Sequence, residues 1–110
     1  MISERLAKIE DTIRNTTHVP EATRKELLGL VAGLKAEVMP LVDTHVETVE
    51  EIAGSADAAV NAAVRQEEAP DKVAQVMDKL AGSVRAFEAT HPRLVEIVDQ
   101  LVLTLSNMGI

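Results

Sequence analysis

Cysteine is absent, which removes disulfides, thiolate metal sites and thiol nucleophiles from consideration. Aromatic residues are almost absent: Phe87 stands alone, with no Trp and no Tyr. Single-stranded nucleic acids are generally held by stacking on aromatic rings, so that platform is missing. Long apolar runs are missing too. Leu101-Val102-Leu103 is the longest strongly apolar run near the C-terminus, far below the ~18 consecutive residues that cross a bilayer. Positive charge is in short supply, with 11 bases against 18 acids and a net charge of −7. A phosphate backbone or an anionic lipid surface would be repelled, so neither nucleic acid nor membrane is expected as a partner. Met1-Ile2-Ser3-Glu4 leads into an amphipathic segment, not a basic-then-apolar leader, and a cytoplasmic location is the expectation.

What is present is aliphatic and helical. The apolar fraction of 46% is almost entirely Ala, Val, Leu, Ile and Met, a palette suited to helices packed through aliphatic ridges. The 110 residues suffice for a single helical domain, 1–110. Ile2, Leu6, Ile9 and Ile13 share one face of a helix over about 2–16. Asn15 to Val19 break it, and Pro20 suits the first position of the next helix. From about 20 to 67 no second strong break is evident. Leu27, Val31, Leu34, Val38 and Leu41 form one seam; Val42, Val46, Val49, Ala53, Ala56, Val60 and Ala63 form another, shifted by a residue. That shift is a stutter, and Pro40 lies within it. The expectation is one bent but continuous helix, ~70 Å long at 1.5 Å per residue.

A turn around Pro70 opens the most regular pattern of all. Val73, Met77, Leu80, Val84, Phe87, His91, Leu94, Val98, Leu101, Leu105 and Met108 keep a 4-3 alternation straight through Pro92. Helices over about 70–90 and 92–107 are therefore expected to be nearly collinear. The fold class that follows is all-α: a long, coiled-coil-like antiparallel helical hairpin with a short N-terminal helix packed at its base. Gly29 and Gly33 would allow close helix approach at that base.

Phe87-Glu88-Ala89-Thr90-His91-Pro92, the closing Leu105-Ser106-Asn107-Met108-Gly109-Ile110, Ile52-Ala53-Gly54 and Thr44-His45 together resemble a family of short bacterial proteins. It is catalogued as a domain of unknown function, number 4404. The resemblance implies a small helical bacterial protein and carries no catalytic residues or cofactor with it.

Candidate chemistry is sparse. Register about a turn near position 69 sets His45 and His91 at one height, each preceded by a threonine and near Asp43, Glu47 and Glu88. Imidazoles and carboxylates at one level could hold a divalent ion. The simpler reading is structural: His91 occupies a core position beside Pro92, and His45 flanks the seam. No nucleophile–base pair and no phosphate loop is visible, so neither enzymatic activity nor a cofactor is expected.

Charge along the hairpin gives a second lead. Asp43, Glu50 and Asp57 fall on one edge, opposite Glu88, Ala81 and Ala74, none of them basic. A solvated face explains such an edge, and a basic protein partner would also fit it. The other edge, Ile52, Ala59 and Val76, suits a further helix. The arm between is half alanine and buries little area, so a homodimer pairing two arms into a four-helix bundle is expected. The function that follows is a non-enzymatic helical interaction or assembly protein, self-associating through its arm. The alternative is a small metal-responsive or regulatory protein using the His45/His91 level.

Overall fold

The computed structural model describes residues 2–17, 19–65 and 70–108, and every regular element among them is helical. Five α-helices follow one another: α1 (Ile2–Arg14), α2 (Glu21–Val38), α3 (Val46–Arg65), α4 (Pro70–Ser83) and α5 (Pro92–Met108). They pack into a bundle of 38 × 25 × 21 Å. The extended hairpin expected from the heptads is therefore corrected, and with it the coiled coil and the ~70 Å helix.

The correction begins at Pro40. Proline cannot donate to the carbonyl four residues back, and its ring crowds that carbonyl. α2 ends at Val38, the chain tightens into a 3₁₀ turn at Met39–Leu41, and α3 starts only at Val46. The His45 amide donates to the Leu41 carbonyl at 2.8 Å and the Val49 amide to the His45 carbonyl at 2.9 Å, so the restart is hydrogen-bonded throughout. What looked like a stutter is a break. The same happens before Pro92: α4 stops at Ser83, Arg85–Phe87 forms a 3₁₀ turn, and α5 begins at Pro92. α4 and α5 pack against each other, so they are not collinear.

Freed from the hairpin, α3 becomes the centre of the molecule. It packs against α1, α4 and α5, while α2 packs against α1 and α5. Its composition explains how one helix accommodates three neighbours. Ala53, Ala56, Ala59 and Ala63 are all but fully buried, and short side chains let other helices come close. Alanine burial alone adds little, but Leu6, Ile9 and Ile13 of α1 and Leu80 of α4, each 0–1% exposed, join the same core and supply the area. The alanine-rich segment is the core of a bundle. Gly33 makes a similar approach elsewhere: a Cβ there would lie 3.2 Å from Ile97 Cδ1 of α5. Gly29 faces open space and makes none.

An internal repeat underlies the arrangement. Residue n of α2–α3 corresponds to residue n + 46 of α4–α5, so Met39–His45 matches Arg85–His91. The bonds match as well. Val42 N–Met39 O and His45 N–Leu41 O have counterparts in Glu88 N–Arg85 O and His91 N–Phe87 O. Leu34/Leu80, Val38/Val84, Thr44/Thr90, His45/His91 and Val49/Val95 are identical pairs. The halves interlock, α2 lying on α5 and α3 on α4.

Candidate functional site

Both histidines stand at the residue before a helix, and each bonds to its preceding threonine. Thr44 Oγ1 and His45 Nδ1 are 2.8 Å apart; Thr90 Oγ1 and His91 Nδ1 are 2.9 Å apart. The hydroxyl donates to a bare Nδ1 or accepts from a protonated one, according to tautomer. The His45 ring meets Phe87 edge-on at a centroid distance of 5.2 Å, and the His91 ring meets it at 5.3 Å. The fold thus brings both imidazoles to one buried phenyl ring. Such edge contacts position helix starts. As a metal site the pair lacks companions: among the described residues no group of three or more His, Cys, Asp or Glu side chains is placed to hold an ion. His18 lies outside the described residues.

The two surface edges do not exist as edges of a hairpin. Asp43 is exposed in the turn before α3, and Glu50 is exposed on that helix. Asp57 is half-buried and accepts a hydrogen bond from Asn61 Nδ2 at 2.9 Å. With Glu47 and Glu51, the acids crowd the N-terminal part of α3, where the helix dipole favours negative charge. Ile52 and Ala59, placed on an outward interface by the heptads, are 1% and 0% exposed inside the chain's own core. Val76 is half-buried at the mouth of a groove. The edge on which two arms were to pair is therefore occupied from within.

That groove runs between α3 and α4. Two adjoining cavities of about 390 and 280 Å³ share Ala58 and Val76. The first is lined further by Asn61, Ala62, Arg65, Lys72 and Gln75, and the second by Glu51, Gly54, Ser55 and Lys79. Its floor is small and apolar, and bases dominate its rim. The Arg5 guanidinium of α1 lies beside Gly54, 3.5 Å from where a Cβ there would stand. Among the described residues Arg5, Arg65, Lys72 and Lys79 have no ion-pair partner. The Ser55 hydroxyl, on a residue 5% exposed, has no hydrogen-bond partner.

The repeat places a second groove between α2 and α5, and its residues correspond almost one for one. Thr104, Asn107 and Met108 stand for Ala58, Asn61 and Ala62, while Glu26 stands for Lys72. Nearer the connecting turns, Ile97 and Gln100 stand for Glu51 and Gly54, and Leu30 for Val76. Ile97 lies against Gly33, the counterpart of Lys79, and fully buried Leu101 replaces Ser55. Both grooves hold cavities, about 330 and 200 Å³ between α2 and α5 against about 390 and 280 Å³ between α3 and α4. They differ in their side chains: Ile97 and Leu101 fill part of the first, and bases dominate the rim of the second. No heptad pattern signals this; the legible signal was the 46-residue offset, marked by the two Thr-His pairs.

The protein-family model described as "Domain of unknown function (DUF4404)" matches residues 30–110, which bears out the resemblance read from the residues around Phe87 and at the C-terminus. No curated protein and no solved structure matches.

Proposed function

The chain belongs to the DUF4404 family, and from that premise we propose that it is a non-enzymatic helical interaction domain whose α3–α4 groove docks a helix of another protein. One observation carries this reading. At equivalent positions of the repeat, the α2–α5 side holds Ile97, Leu101 and Met108, whereas the α3–α4 side holds Glu51, Ser55 and Ala62. Apolar burial stabilises a fold at about 25 cal/mol per Å², so stability alone favours the filled version. A groove with a small apolar floor and a polar rim has the anatomy of a helix-in-groove site. No helix among the described residues is long and apolar enough to cross a membrane.

A photo-crosslinking side chain at Ala58, in the groove, tests this in cells that make the protein. A discrete adduct to another polypeptide is expected from position 58 and not from Leu103, which is 55% exposed and lines the α2–α5 groove. Identical adduct patterns from the two positions would remove the reason for singling the groove out.

A further inference from the structure

The reading above leaves the occupant's chemistry open, and the rim of the groove specifies it. We infer that the α3–α4 groove selects an acidic amphipathic helix of a partner protein, one presenting small apolar residues flanked by Asp or Glu. This inference rests on the proposal that the groove docks a helix at all, and it adds the sign of the charge.

Charge complementarity is the first support. The chain as a whole carries −7, yet among the described residues the larger cavity is lined by Arg65 and Lys72 and by no acid. The smaller cavity adds Lys79 and Glu51, with the Arg5 guanidinium beside Gly54. Lys72, Gln75, Val76 and Lys79 recur at i, i+3, i+4 and i+7, so one stripe of α4 presents two bases around an apolar centre. Asp71 and Asp78 precede those lysines by one position and are turned about 100° round the helix from them. Among the described residues the four cations have no ion-pair partner.

The counterpart groove supports the same assignment. There Glu26 occupies the position of Lys72 and Gly33 that of Lys79, so the basic rim is not a requirement of the backbone geometry. Nucleic acid is disfavoured as the anion: a few cations within a strongly negative field yield little phosphate affinity.

The test is a titration of isotopically labelled full-length protein with four probes, followed by amide chemical shifts. Three are amphipathic peptides with an alanine and leucine face flanked by Glu, by Gln or by Lys; the fourth is a short DNA duplex. The Glu peptide should bind at least tenfold tighter than the Gln or Lys peptides. Its shifts should centre on Ala58, Ala62 and Val76, and raised salt should weaken it. Lys72→Glu/Lys79→Glu, both substitutions on exposed side chains, should reverse the order and favour the Lys peptide. Equal binding of all three peptides in the groove would overturn the charge assignment while leaving helix docking intact. Binding of no peptide would overturn both. Tighter binding of the duplex than of the Glu peptide would overturn the choice of a protein partner.

Discussion

The two halves of this bundle share a path and differ in what they do with it. In α4–α5 and α2–α3 alike, a helix ends at a buried valine or one residue before it (Val38, Val84), turns through a 3₁₀ segment onto Leu41 or Phe87, and restarts after Thr-His. Where α2 meets α5, Ile97 packs against Gly33 and buried Leu101 lies beneath. Where α3 meets α4, Glu51, Lys79 and Ser55 hold those places and the rim is mostly basic. Because backbone and topology are common, the contrast isolates side-chain choice. Choices that a fold does not need are the ones to ask about function.

The largest effects should appear where the halves are alike. Leu34 and Leu80 are equivalent, and both are 0% exposed. Leu34→Ala and Leu80→Ala should each cost about 2–5 kcal/mol in urea unfolding. A loss below ~0.5 kcal/mol at either one would place that residue on the surface and break the equivalence.

A smaller pair addresses the difference itself. Leu101→Ala should cost on the scale of the other core leucines, again about 2–5 kcal/mol. Ser55→Ala should cost nothing or stabilise by up to ~1 kcal/mol, since it removes a hydroxyl without a partner. If Ser55→Ala instead lost more than ~1 kcal/mol, the hydroxyl would be serving the fold.

How much of this was legible depends on the element. The inward faces of α1, α2, α4 and α5 could be read: Leu6, Ile9 and Ile13, then Leu27, Val31, Leu34 and Val38, then Met77, Leu80, Leu94, Val98, Leu101 and Leu105 are all buried. On α3, Val46 of the expected seam is exposed, and Ile52 and Ala59, placed outward, are buried. The breaks could not be read from phase. Val84, Phe87, His91 and Leu94 keep the 4-3 alternation across the turn between α4 and α5, while the one-residue shift at Pro40 has the form of a stutter. Pro40 and Pro92 marked the places, but periodicity overrode them. Reading α3 as a thin arm had the same origin, because small residues signal weak burial in a pair of helices and close approach in a bundle. The turn expected around 67–71 falls mostly outside the described residues. The candidate site was legible only in part. His45 and His91 do converge, on Phe87, but the groove depends on which helix α3 meets, and that is a tertiary fact.

The histidines offer a finer comparison. Both rings touch Phe87, but His45 is exposed and His91 half-buried. His91→Ala should therefore cost about 1 kcal/mol and His45→Ala about half as much, read as shifts in the urea midpoint. A larger loss at His45 would mean that its helix start leans on the ring more than its exposure suggests.

The smallest effect bears on how firmly Ile97 fills its part of the α2–α5 groove. Gly29 and Gly33 lie one turn apart in the interior of α2, where alanine is better than glycine by roughly 0.5–1 kcal/mol because glycine loses more backbone freedom on folding. At Gly29 an added Cβ meets nothing within 4 Å, so Gly29→Ala should gain that full amount. At Gly33 the Cβ would meet Ile97 Cδ1 at 3.2 Å and Cγ1 at 3.9 Å. Ile97 is half-buried and has room to swing outward by a few tenths of an ångström, so Gly33→Ala should gain less than Gly29→Ala without becoming a large loss. The shortfall measures how firmly Ile97 plugs the groove. It should vanish in the Ile97→Ala background, where the clash is removed, and that coupling is what a double-mutant cycle reads. Equal gains at both glycines in the parent protein would mean that Ile97 is loose. The contrast between the two grooves would then rest on charge alone.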